Sequence, residues 1–265
     1  MRRKSLKQLR FKYTVVTSPY FVLKNVVRAH KLLKMPEEKT KEQRYELALH
    51  IIDHMRRRSG AVTLSFGEEN LPKEGGYILY SNHQGKYDAL GILLTLPSRC
   101  AVLWEESSAD KFLAREVCAL LGGRTIDLTD AKKCLKTIKA IGEDVLFGER
   151  YLIFPEGGYA DNKNTLTEFK SGCFLASVRS KTPVVPVCIF DSYRAMDENK
   201  PGRVVTQAHY LTPITYEQYK DMTRHELCEE VKKRIEDKLK TLKTIKYDKS
   251  LKNIIRAAFG CCQAP

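Results

Sequence analysis

The stretch Tyr77-Ile78-Leu79-Tyr80-Ser81-Asn82-His83-Gln84-Gly85-Lys86-Tyr87-Asp88 runs from an apolar segment through a polar bend into a renewed apolar pattern. Residues 77–81 have the length and composition of a buried strand, and 87–96 carry helical spacing. On both sides of it the same alternation repeats. Residues 61–66, 101–104, 125–128, 151–154, 184–190 and about 204–211 are short β-branched or apolar runs bounded by Gly and Pro. Between them, 109–121, 132–141 and 173–179 read as helices. Strands alternating with helices predict an α/β fold with a mixed, mostly parallel sheet covered by helices on both faces. Ligands in such sheets gather beyond the carboxyl ends of the strands, which is where the bend after residue 81 falls.

The flanks read differently. Leu6, Leu9, Tyr13, Val16, Tyr20, Leu23 and Val27 recur at spacings of three and four, the signature of one helical face. Ser18 followed by Pro19 is an N-cap and first-turn pair, so the chain should break near residues 17–19 into a helical hairpin or kinked helix. The apolar face is free to enter lipid or to pack on the protein's own domain. A second helix is expected over 41–58. At the other end Leu227, Val231, Ile235, Leu239, Leu242 and Ile245 stripe a long helix rich in lysine. The predicted organisation is an amphipathic helical region over 1–58, an α/β domain over 59–215, and a basic helix and tail over 216–265.

Of 265 residues, 46 are Lys or Arg and 32 Asp or Glu, a formal net charge of +14 that attracts polyanions. Ten basic residues precede the first acidic one, Glu37, and they are interleaved with large apolar side chains. That mixture suits an anionic bilayer surface, and no nucleic-acid-binding motif accompanies it. The apolar stretch over 13–23 is shorter than the roughly 20 residues a spanning helix needs, and no signal peptide follows the basic start. A peripheral protein without a transmembrane helix is expected. The eight cysteines form no CxxC and no Cys/His metal spacing, so they read as reduced, with no metal centre. Cys261 and Cys262 beside a basic tail are either a lipidation site or incidental.

His83 and Asp88 are five positions apart, a spacing that places them on different faces of a regular helix. A turn at Gly85 brings them together. Asp88 can then hold the Nδ1 proton of His83 and leave Nε2 as a base. Alone, such a pair favours the plainer reading, a loop histidine and a capping carboxylate. A second cluster follows: Phe154-Pro155-Glu156-Gly157-Gly158 after a strand, and Glu168-Phe169-Lys170-Ser171-Gly172 opening a helix. Paired glycines and a helix start suit an anionic group, with Lys170 adding formal charge. Each piece alone also fits an ordinary turn.

Together, Asn82-His83 with Asp88, Phe154-Pro155-Glu156-Gly157, Phe169-Lys170-Ser171-Gly172 and Pro183-Val184-Val185-Pro186-Val187 occur in the order found in the glycerolipid acyltransferase family, which the chain resembles over about 77–190. The resemblance implies an O-acyltransferase acting on a lysophospholipid such as 1-acylglycerol-3-phosphate in phospholipid biosynthesis. The donor would be acyl-CoA or acyl carrier protein, with no cofactor. It implies work at the cytoplasmic membrane face. His83 would be the general base and Asp88 its orienting partner. Asn82, Lys86, Arg124, Glu156, Gly157, Gly158 and Lys170 would line the substrate site, and Pro186 the donor side. Two departures stand out: Gly158 and Tyr159 replace the family's Thr-Arg, and Leu128 stands where its middle motif ends in arginine. Both arginines ordinarily meet acceptor phosphate, so another lysolipid acceptor, or a non-catalytic lipid-binding protein on the same scaffold, is the alternative. Lys86, Arg124, Lys163 and Lys170 are the cations available to compensate.

Overall fold

The computed structural model describes residues 13, 16–198 and 202–244. Leu6, Leu9, Ile245, Cys261 and Cys262 lie outside them.

Among the described residues, seven strands form one sheet in the order β1-β7-β6-β2-β5-β3-β4. They are β1 Ala61–Phe66, β2 Tyr77–Ser81, β3 Ala101–Glu105, β4 Arg124–Ile126, β5 Arg150–Ile153, β6 Val184–Phe190 and β7 Val204–Tyr210. From β6 to β4 every pairing is parallel. β7 runs antiparallel to β6 and carries β1 parallel to itself, so the sheet is mixed.

The strand pleat divides the core in two. On β2, Tyr77 and Leu79 join one apolar cluster and Ile78 and Tyr80 the other, as period-two alternation requires of a strand buried on both faces. The first cluster is roofed by α1 Pro19–Leu33, α2 Glu37–Ser59, α3 Asp88–Leu93 and, after the short α4 Glu106–Ala109, α5 Ala114–Leu120. The second is roofed by α6 Ala131–Leu146, α7 Leu175–Ser180 and, after the short α8 Tyr193–Met196 and α9 Tyr216–Tyr219, the long α10 Arg224–Thr244. In α10, Leu227, Val231, Ile235, Leu239 and Leu242 are buried as the stripe predicts.

The chain does break at Thr17–Pro19, and Ser18 takes the N-cap position of α1. Its hydroxyl does not cap the helix; it meets His54 Nε2 at 2.9 Å. α1 buries Val22, Asn25, Val26 and Ala29. The stripe read from sequence is the opposite face: Tyr13, Val16, Tyr20, Leu23 and Val27 are all exposed, Tyr20 at 78%. No helix among the described residues is long and apolar enough to cross a membrane.

Three helical expectations shift. The continuous helix over 109–121 is two, because Leu113 sits at φ 68° and the Glu116 carboxylate accepts its N–H at 2.9 Å, restarting the helix. The 173–179 helix begins as a 3-10 turn over Ser171–Phe174. α6 runs on past residue 141 through Gly142, whose bare Cα lets the backbone of α7 approach: an added Cβ would lie 3.1 Å from the Ala176 carbonyl.

Candidate active site

β2 and β5 are adjacent and parallel, so the segments that follow them emerge side by side at their carboxyl ends. The first carries His83 and Asp88, the second Glu156. Between the former, the Asp88 N–H reaches back to the Gly85 carbonyl and closes a tight turn. That turn brings His83 Nδ1 to 2.6 Å from Asp88 Oδ2. The same oxygen accepts the backbone N–H groups of Gln84 and of Gly85, the latter at 2.8 Å. Asp88 is 1% exposed, with Oδ1 buried and unpartnered among the described residues. A carboxylate so held fixes the imidazole's tautomer and plane.

The imidazole is also clamped by rings. Phe154, the residue after β5, stacks on it with centroids 4.3 Å apart, and Tyr159 meets it edge-on at 4.7 Å. Its side chain keeps 18% exposure, and Nε2 has no hydrogen-bond partner among the described residues. One nitrogen is therefore oriented by an anion while the other is open, the arrangement a general base needs.

Glu156 is 6% exposed and wholly engaged by protein. Its Oε1 accepts the His83 backbone N–H at 2.7 Å. Its Oε2 accepts the Thr167 N–H at 3.0 Å, the Thr167 hydroxyl and the Asn162 amide. It ties the β5 turn to the histidine's own backbone. The Gly157 N–H closes the turn onto the Phe154 carbonyl at 3.0 Å. Gly157 sits at φ 69°, and a Cβ there would lie 2.7 Å from Lys170 Nζ, so the ammonium lies directly over this glycine. Gly158 borders open space.

The remaining expected residues have other partners. The Asn82 side chain exchanges two hydrogen bonds with the Ile189 backbone, at 2.8 and 3.1 Å, pinning the end of β2 to β6. Lys86 pairs with Asp197 at 3.0 Å and lies over the Tyr159 ring. Burial opposes its charged form, but hydrogen bonds to Tyr159 and Asp197 outweigh this and hold its pKa above the usual lysine value. Arg124 is bound through Nε and Nη2 by Asp144, at 2.6 and 2.9 Å. Tyr151, at the start of β5, donates to the same carboxylate at 2.7 Å. This network lies toward the amino ends of the strands, and no contact ties Arg124 to the His83 cluster. Pro186 lies inside β6, in register with Tyr80. Among the described residues, no group of three or more His, Cys, Asp or Glu could hold a metal ion.

Residues 64–190, which span β2 through β6 and every group just described except Asp197, match the profile of the family described as Acyltransferase. Over that stretch the chain is similar to the glycerolipid acyltransferase family. It is 28% identical over 158 residues to 1-acyl-sn-glycerol-3-phosphate acyltransferase alpha of Mus musculus, covering 57% of this chain and 54% of that protein. It is 28% identical over 189 residues to the 1-acyl-sn-glycerol-3-phosphate acyltransferase of Saccharomyces cerevisiae, covering 70% and 61%. The chain spans about half the length of the mammalian relatives it matches. In fold it resembles the crystal structure of the 1-acyl-sn-glycerophosphate (LPA) acyltransferase, PlsC, from Thermotoga maritima, with TM-score 0.74 and 18% identity over 91% of this chain and 97% of that one.

Several groups at the site escape a reading of the sequence. The sequence places Phe154 at the end of a strand; its ring is a floor for the imidazole. Gln84 donates to the Ile189 carbonyl and to Asn164, both at 3.0 Å, and accepts the Ser192 N–H at 3.1 Å, binding the β2 bend to the β6 bend. Asn162, Asn164 and Thr167 carry the loop after Gly158. The one signal was the density of Asn and Thr over 162–167, residues whose side chains bond nearby backbone.

Proposed function

We propose that the protein transfers a fatty acyl group from an acyl thioester, acyl-CoA or acyl carrier protein, to the free hydroxyl of a lysophospholipid, at the cytoplasmic face of a membrane. The observation that carries this reading is the 2.6 Å contact between His83 Nδ1 and Asp88 Oδ2, with Nε2 left open. Nε2 takes the proton of the acceptor hydroxyl as its oxygen attacks the thioester carbonyl carbon. The tetrahedral intermediate collapses by breaking the carbon–sulfur bond, and the imidazolium returns the proton to the leaving thiolate. An ester and a free thiol result, and the histidine is restored. Asp88 stabilises the transient imidazolium, and a base so positioned contributes roughly 10² to 10⁴ in rate. The names borne by the mouse and yeast relatives support a lysophospholipid acceptor.

Helix α1 supports work at a lipid surface. Tyr20, Leu23 and Val27 project from α1 beside exposed Lys24, Arg28 and Lys31. A groove of about 630 Å³ between α1 and α2 is bordered by Arg28, Lys31 and His50. Apolar side chains flanked by cations bind the interface of an anionic leaflet, each cation contributing about 1 kcal/mol.

The test is His83→Ala assayed with labelled acyl thioester and a panel of lysophospholipids. Transfer by the wild type, and its loss in a variant with unchanged thermal midpoint, is the expected result. Near-normal turnover without the imidazole would end the assignment. A wild type that binds the lipids yet acylates none would instead be a non-catalytic lipid-binding protein.

A further inference from the structure

The charges gathered around His83 narrow the acceptor class, an inference that rests on the acyl-transfer reading above. Asp88 and Glu156 are both buried, and among the described residues neither has a cationic side chain within ion-pair distance apart from His83 itself. The surrounding cations are committed elsewhere: Lys86 to Asp197, Arg194 to Asp191 and Glu198, and Arg124 to Asp144. Lys163 and Lys170 are both exposed, and among the described residues no contact sets Lys163 against the Glu156 turn. Lys170, lying over Gly157, is the cation that contacts place against the Glu156 turn without a carboxylate partner among the described residues. Where the family pattern has arginine, Tyr159 sets a neutral ring edge against His83.

We propose that the acceptor is a lysophospholipid whose phosphate is a monoanionic diester, with Lys170 as its counter-charge and Tyr159 as the residue that selects against a phosphate monoester. A monoester with a second pKa of about 6 carries nearly two charges at neutral pH, whereas a diester carries one. Bringing the second charge beside two carboxylates, with a single ammonium opposite, is unfavourable in a partly buried site. A phenol offers one hydrogen bond and no charge, so it does not replace a guanidinium fork. A diester also needs space for its second substituent. Gly158, next to the glycine that Lys170 overlies, and Gly172, two residues after Lys170, both border open space.

The experiment uses the full chain in neutral detergent micelles, with acyl-CoA and acyl carrier protein thioesters supplied in turn. The acceptors are 1-acylglycerol 3-phosphate and 1-acylglycerophosphoglycerol bearing the same acyl chain. The wild type is expected to favour the diester in kcat/KM by roughly tenfold or more, the factor that a difference of about 1.4 kcal/mol produces. Raising the pH from 5.5 to 7.5 should depress use of the monoester relative to the diester as its second proton leaves. Tyr159→Arg should move the preference toward the monoester by a similar factor. A wild type that prefers the monoester, or uses both equally, overturns the inference and leaves acyl transfer standing. An unchanged ratio in a folded Tyr159→Arg variant removes Tyr159 from the argument. Transfer to neither acceptor overturns the acyl-transfer reading, and the inference with it.

Discussion

Replacing Glu156 with Gln separates two meanings of a glutamate in this position. If it binds the acceptor, the amide should weaken binding; if it positions His83, the amide should loosen the fold and slow the chemistry. The contacts favour the second. Both oxygens face donors: the His83 N–H at 2.7 Å on one side, and the Thr167 N–H at 3.0 Å with the Thr167 hydroxyl on the other. A glutamine has one oxygen, so its NH₂ must confront a donor on one side or the other. Leaving a buried N–H unmatched costs about 1–3 kcal/mol, and losing charge assistance at the remaining bond adds about 1 kcal/mol. The sum, roughly 2–4 kcal/mol, lowers the thermal midpoint by roughly 5–15 °C in a chain of this size. If the His83 backbone loses its tether, the imidazole drifts from its reacting position, and a misplacement of about 1 Å is worth up to ~100-fold in rate. Calorimetry and steady-state kinetics on Glu156→Gln should show a lower midpoint and a lower kcat, with acceptor KM changed less than about threefold. An unchanged midpoint and kcat with KM raised more than about tenfold would refute the positioning argument and return Glu156 to the substrate.

Three other outcomes follow from the same geometry. Burial and the neighbouring Lys238 charge depress the His209 pKa from 6.5 to about 4. The unfolded chain therefore takes up the proton first as pH falls, and about 3 kcal/mol of stability present above pH 6.5 is lost on the way to pH 4. Denaturant titrations should show that slope weakened in His209→Gln; an equal slope would acquit this histidine. Arg124→Met should cost about 1 kcal/mol, because its pair with Asp144 is partly solvated, and should leave acceptor KM within about twofold; a large rise in KM without loss of stability would place Arg124 at the substrate after all. Changing Tyr20, Leu23 and Val27 together to Ser should weaken flotation with anionic vesicles by roughly ten- to a hundredfold while leaving the thermal midpoint in place, since these side chains are exposed. Undiminished flotation would relocate the lipid contact.

Much of the architecture could be read before the structure. Strands 61–66, 77–81 and 184–190 coincide with β1, β2 and β6, because each is a short apolar run closed off by turn residues, and such runs have few other ways to bury themselves. What sequence could not supply was partnership across distance. The helix expected over 132–141 ends short of Gly142; only the approach of α7 shows why the helix continues through that glycine. The Tyr20, Leu23 and Val27 stripe was visible, but which face of α1 met the protein became clear only from the burial of Val22, Val26 and Ala29. At the site, the bend at Gly85 made a meeting of His83 and Asp88 foreseeable. That the Glu156 carboxylate would be spent on backbone donors was not, since those donors lie on segments 73 and 11 residues away.

The place of β7 has a consequence for how the chain is made. β1 emerges early in synthesis, yet its only strand neighbour among the described residues is β7, more than a hundred residues downstream. Until residues 204–210 leave the ribosome, β1 has no ladder to join, and its backbone donors and acceptors must wait in water or in the hands of a chaperone. A nascent chain halted before that point would hold the histidine bend and the glutamate turn on a sheet lacking two strands on one side, with α1 and α2 joined to it through a segment that has helices to pack against but no strand to pair with.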